Sequence, residues 1–200
     1  MRTASRTARG HGFPIAVAAL LLLALSLCPR TGRADGLGIE ALVTGTAFTS
    51  KPADRPSISY ADQPGSGIGG LLGLRGGIAR DFRWIVGGVA EQVQRGAFLG
   101  PAPESGNRFG GQLGVGWMAS ENVRLELVLE GGTRSNGNYW FNYFGLRPAL
   151  TWLRHTPSGF GVVASLSVPW RKESQDDLGP LAPAGGRELG LSLAVGLSYE

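Results

Sequence analysis

Seven charged residues fall where alternating side chains would turn them toward one shared interior: Glu40, Arg75, Arg124, Glu126, Glu130, Arg147 and Glu188. Charges withdrawn from water are costly alone and tolerated when paired and hydrogen-bonded. The set therefore reads as an ion-paired plug, with a gated ion path as the alternative. The chain has two histidines, His11 and His155. A histidine beside a serine and a carboxylate can serve general-base or nucleophilic chemistry, and Asp81 and Ser158 fall at the same end of the strand pattern as His155. His155, however, sits in a turn sequence, Arg154 to Ser158, where a solvated side chain is expected. No catalytic residue is assigned.

Three further groups invite a chemical reading. Gly65-Ser66-Gly67-Ile68-Gly69-Gly70 has the spacing G-x-G-x-x-G, which cradles a pyrophosphate only between a strand and a helix. Here a proline-rich stretch precedes it and a strand pattern follows, so the match is accidental. Glu173, Asp176 and Asp177 could hold a divalent ion, yet they lack the regular ligand spacing of a calcium loop. A solvated acidic loop is expected, and no metal or cofactor. Tyr139, Phe141 and Tyr143 form an inward aromatic file that fills space or stacks on a small ligand.

The elements that must position these groups are strands. From Glu188 to Glu200, Leu189, Leu191, Leu193, Val195, Leu197 and Tyr199 fall on one face, and Glu188, Gly190, Ser192, Ala194, Gly196 and Ser198 on the other. Successive strand side chains point to opposite sides. One face is thus wholly apolar and the other small or polar, as a lipid-facing barrel strand requires.

Residues 1–34 read as a secretory signal: Arg2, Arg6 and Arg9 lead an apolar run, Ile15 to Leu27, and Gly32-Arg33-Ala34 offers small residues before a cut at Asp35. Removing it takes five of the nineteen basic residues and none of the fifteen acidic ones, leaving a net charge of −1 on residues 35–200. The high isoelectric point of the whole chain therefore gives no support to nucleic-acid binding. Cys28 leaves too, so disulfides cannot staple the exported chain. Glycine, 33 residues in all, weakens strands in water but makes room inside a narrow barrel.

Eight strands can be placed over residues 35–200. The first is Leu37 to Phe48, the second Ile68 to Arg80, the third Phe82 to Arg95 and the fourth Arg108 to Met118. The fifth begins at Val123, with Val123, Leu125, Leu127 and Leu129 against Arg124, Glu126, Val128 and Glu130. The sixth is Tyr139 to Leu153, the seventh Phe160 to Trp170, and Glu188 to Glu200 is the eighth. Glu91, Gln92 and Gln94 blur the third, which a bulge or an early exit from the membrane would explain. Thr49 to Gly67 and Arg171 to Gly186 read as polar loops. Connections after the second, fourth and sixth strands are short; those after the first, third and seventh are long, and the one after the fifth is moderate. Trp84, Trp117, Trp152 and Tyr199 fall at the short-turn ends, and Phe109, Trp140 and Trp170 at the long-loop ends. Two aromatic girdles at membrane interfaces are expected.

These features together resemble the small OmpA/OmpX-type outer-membrane barrels, over essentially all of residues 35–200. The resemblance implies an all-β, eight-stranded antiparallel up-and-down transmembrane barrel in a Gram-negative outer membrane. It also implies contact with outer-membrane lipid and lipopolysaccharide, delivery by the barrel-assembly machinery, and a monomer. Such barrels usually end on an aromatic residue, whereas Tyr199 is followed by Glu200. Lipid A-modifying enzymes share this size, so an envelope-lipid enzyme is the alternative of another class; a soluble lipocalin-like barrel is disfavoured by the inward charges.

Overall fold

The computed structural model describes residues 36–52, 62–95, 104–136, 139–174 and 185–200; the expected signal segment lies outside them. Period-two alternation over long stretches makes every described element a strand: β1 (Gly38–Pro52), β2 (Gln63–Ala79), β3 (Phe82–Arg95), β4 (Glu104–Ser120), β5 (Val123–Asn136), β6 (Tyr139–His155), β7 (Phe160–Ser167), β8 (Trp170–Ser174) and β9 (Gly185–Tyr199). From β1 to β7 each strand pairs antiparallel with the next, and β8 and β9 pair antiparallel as well. The ring then closes, because β9 returns to β1 from Ile39 opposite Tyr199 to Pro52 opposite Gly186. Closure satisfies every edge, which an open sheet of the same strands cannot do.

The ring has eight staves, because β7 and β8 are the two halves of one. Both lie between β6 and β9, β7 against Ala149 to His155 and β8 against Asn142 to Leu146. Pro169 interrupts the stave, since proline has no N–H to give the ladder. The wall is nonetheless continuous: Val168 donates to the Pro148 carbonyl at 3.0 Å and Gly190 to the Pro169 carbonyl at 2.9 Å.

Several sequence expectations are corrected. β3 carries no bulge: its ladder with β4 runs unbroken from Phe82 opposite Trp117 to Arg95 opposite Glu104. The apparent blur is alternation in constant phase, with Glu91 inward and Gln92 and Gln94 outward. The irregularities sit instead beside the short turns, at Gly77/Ala79 and Met118/Ser120. β1 and β2 extend well into the stretch read as a loop, because Gly65 and Gly67 pair as readily as bulkier residues do. Arg171 to Ser174 is strand, not loop. β5 and β6 pair up to Asn136 opposite Tyr139, so the connection after the fifth strand is short.

Inside and outside are chemically inverted relative to a water-soluble protein. Outward side chains are large and apolar around the ring: Val43 is 65% exposed, Ile68 64%, Leu113 54%, Leu193 56% and Leu197 63%. Inward ones are charged, small or packed. At the short-turn end Leu42, Leu71, Leu153, Val163 and Ala194 form a compact apolar layer, with Met118 against it. The turn there needs Gly159, whose φ of 86° favours glycine.

Interior crowding makes Gly110 a sensitive position, because a Cβ there would meet the Tyr143 hydroxyl and lie 2.6 Å from the Gly131 carbonyl oxygen. Gly110→Val is expected to destabilise the barrel by about 1–3 kcal/mol, read as a lower urea midpoint in lipid vesicles. Adding Tyr143→Phe should restore part of the loss, since the Tyr143 hydroxyl is buried without a hydrogen-bond partner.

Candidate functional site

The lumen holds two clusters of charge, positioned by the inward parity of each strand. The larger lies toward the long-loop end and is built on Glu188 of β9. One Glu188 oxygen, Oε2, accepts from Arg95 Nη2 at 2.8 Å and Arg108 Nη2 at 2.7 Å, while Oε1 accepts from Arg171 Nη1 at 2.8 Å. Glu173 accepts from Arg95 at 2.6 Å and from Arg134 Nε at 3.0 Å. Glu91 accepts from Arg108 at 2.5 Å. Glu130 joins Arg147 at 2.5 Å to Arg171 at 2.9 Å, and Gln112 Oε1 accepts from Arg147 at 2.6 Å. No carboxylate here is unpaired, which is the condition on which buried charge is tolerated.

Aromatic rings support the arginines from the sides. The Arg134 guanidinium lies 4.4 Å from the Phe141 centroid, Arg108 5.4 Å from Tyr143, and Arg95 5.6 Å from Phe48. Such contacts add attraction where water is excluded. Phe141 and Tyr143 thus act with the ion pairs; of Tyr139, only the backbone is described.

The smaller cluster lies toward the short-turn end. Arg75 pairs with Glu40; Arg124 pairs with Glu126 at 2.5 Å and reaches Glu40 at 3.4 Å. The Thr151 hydroxyl lies between Glu126 at 2.8 Å and Ser165 at 3.0 Å. Between the two clusters is a cavity of about 10 Å³, lined by Glu40, Arg75, Gln112, Glu126, Arg147 and Thr151 among others. It has room for about one water.

The seven charges singled out in the sequence are therefore all inside but do not form one network. Glu40, Arg75, Arg124 and Glu126 make the smaller cluster, and Glu130, Arg147 and Glu188 enter the larger. Sequence reasoning left Glu91, Arg95, Arg108, Arg134, Arg171 and Glu173 out of the network. Parity alone would have found them. Glu91 and Arg95 share the phase of buried Ile85, Arg108 that of Gln112, Arg134 that of Arg124, and Arg171 and Glu173 that of Ser165 and Ser167.

The other candidates are placed as follows. His155 ends β6, and its Nε2 lies 2.9 Å from Ser198 Oγ. Ser158 bonds Thr156 at 2.8 Å, and no hydrogen bond joins His155 to Ser158 or Asp81. Gly65 to Gly70 lie within β2, in no phosphate-binding turn. Glu173 is a buried lumen residue rather than part of an acidic loop, and Asp176 and Asp177 lie outside the described residues. Among the described residues no group of three metal-ligating side chains converges. Trp117, Trp140, Trp152, Trp170 and Tyr199 are exposed on the outer wall, and Trp84 is half-buried there, its ring beside Gly76. Tyr199 packs on Phe160 with centroids 4.9 Å apart, joining the last strand to β7 at the short-turn end.

No family model and no curated protein matches the chain. Solved structures do. The attachment invasion locus protein Ail of Yersinia pestis is 14% identical, with a TM-score of 0.42, covering 81% of this chain and 98% of its own. Neisserial surface protein A, NspA, is 12% identical, with a TM-score of 0.41, covering 84% and 99%. The outer-membrane protease OmpT of Escherichia coli is 7% identical, with a TM-score of 0.37, covering 85% and 99%.

Proposed function

We propose that the protein is a bacterial outer-membrane β-barrel with a structural or surface-interaction role. Its lumen is a salt-bridged plug and its long connections are the surface that meets partners. The observation that carries this reading is the inversion of the ring. A belt of exposed Leu, Val, Ile and aromatic side chains encircles a core of buried arginine–glutamate pairs. Monomeric soluble proteins rarely expose apolar patches beyond a few hundred Å², whereas lipid is the solvent such a wall requires. Exposed tryptophans at both ends of the belt fit the two interfaces. The reading assigns outer-membrane lipid and lipopolysaccharide as surroundings, the assembly machinery as the route in, and a monomer as the working form.

Membrane fractionation and electrophoresis with and without boiling test it. The protein should be found in the outer-membrane fraction as a band that shifts on heating. A soluble, unshifted protein would overturn the membrane reading. In planar bilayers the purified barrel should give no stable conductance steps, because ion pairs fill the lumen and the cavity between the two clusters has room for about one water; steps that persist at neutral pH would replace the plug by the gated path.

A further inference from the structure

Lys51, Arg187 and Lys172 stand side by side on the outside of the barrel. Lys51 of β1 is directly opposite Arg187 of β9, and Arg187 directly opposite Lys172 of β8. All three are exposed, while their chain neighbours Ser50, Glu188, Arg171 and Glu173 are buried in the lumen. Neighbouring strands lie about 4.8 Å apart, so the row spans roughly 10 Å of wall. None of the three has an ion pair with a described residue. Among the described residues the exposed carboxylate beside the row is Asp62, which precedes Gln63 opposite Ser50.

The row is local. On β2 to β6, outward polar side chains toward the same end, such as Ser66, Gln92, Gln94, Asn107 and Asn142, are uncharged. Beneath Arg187 and Lys172 the wall is apolar: two residues down their strands Trp170 and Leu189 pair with each other, 45% and 57% exposed, while Thr49 lies below Lys51, opposite Leu189. Phe144 flanks Lys172. Cations just above an apolar wall match a ligand whose anionic head is joined to acyl chains. Arginine offers a planar fork and lysine a point charge, both suited to phosphate oxygens.

We propose that Lys51, Lys172 and Arg187 bind the phosphate of a lipid in the leaflet on the long-loop side, with its acyl chains against Trp170, Leu189 and Phe144. The assignment rests on the membrane reading above. It needs no lumen residue and no loop, and the occupant is a lipid phosphate rather than the free anion, because the apolar contacts continue directly below the charges.

The test is native mass spectrometry of the detergent-refolded barrel with diphosphoryl lipid A, a phosphate-free lipid A and inorganic phosphate as probes. Wild type should retain diphosphoryl lipid A, and the triple variant Lys51→Gln, Lys172→Gln, Arg187→Gln should lose about ten- to a hundredfold in affinity. Arg187→Gln alone should lose part of it. A control, Arg80→Gln with Arg154→Gln, removes two exposed charges from the short-turn end and should bind as wild type does. Equal retention by the triple variant, equal retention of the phosphate-free lipid, displacement by millimolar inorganic phosphate, or equal loss in the control would each overturn the site. The heat-shifted band separates the two failures. A protein that shifts and reaches the membrane yet binds lipid A without these residues loses only this proposal, whereas one that never does so loses the membrane reading and this site with it.

Discussion

Replacing Glu188 by glutamine is expected to destabilise the barrel by about 3–5 kcal/mol, the usual consequence of removing one partner from a buried ion pair. Glu188 accepts from Arg95, Arg108 and Arg171 at once, and its side chain is 1% exposed. In the larger cluster Arg95, Arg108, Arg134, Arg147 and Arg171 already outnumber Glu91, Glu130, Glu173 and Glu188. Neutralising one glutamate leaves the excess of positive charge larger, with no solvent to screen it. Glutamine keeps the shape and one acceptor, so the loss measures charge rather than packing. Urea unfolding in lipid vesicles, followed by tryptophan fluorescence, is the measurement. Glu126→Gln serves for comparison: Glu126 pairs with Arg124 alone, which also reaches Glu40. A Glu188→Gln effect no larger than that of Glu126→Gln would show that the larger cluster is not organised around Glu188.

An arginine placed on the outer wall at mid-belt should be nearly as damaging, for a different reason. Leu127 lies at the middle of the outward file Val123, Leu125, Leu127, Leu129 and Gly131 and is 49% exposed. In water Leu127→Arg would be harmless or helpful to solubility. In lipid it should cost about 2–4 kcal/mol, falling to about 0–1 kcal/mol for the same change near the rim, where Thr133→Arg provides the comparison. The depth dependence is the diagnostic feature. Unfolding free energies of Leu127→Arg and Thr133→Arg that agree within error would mean that the wall does not face a bilayer.

Much of this architecture was legible along the chain, and the reason is geometric. A strand reports its two faces at period two, so the outward file of β9 and the mixed file of β5 are visible in the letters themselves. Two of the misses share one cause. At Glu91 to Gln94 and at Arg171 to Glu173 both faces become polar, and polarity no longer distinguishes a loop from a strand that has risen above the apolar belt. Carrying the parity forward from Ile85 or Ser167 would have put Glu91, Arg95, Arg171 and Glu173 in the lumen. In β2, Gly65 and Gly67 hid the strand instead, because glycine has no side chain to show which face it occupies.

By itself, then, the sequence determined the period, the facing of each long strand and the sign of every inward charge, since these depend only on local backbone geometry. The tertiary structure decided the pairings. Closure of β9 on β1 and the register of each ladder bring Glu188 within reach of arginines on β3, β4 and β8, and align Lys51, Arg187 and Lys172 in one row. They also divide the inward charges into two clusters. Register is a relation between strands far apart in the chain, fixed by packing around the whole ring, and no single strand carries it.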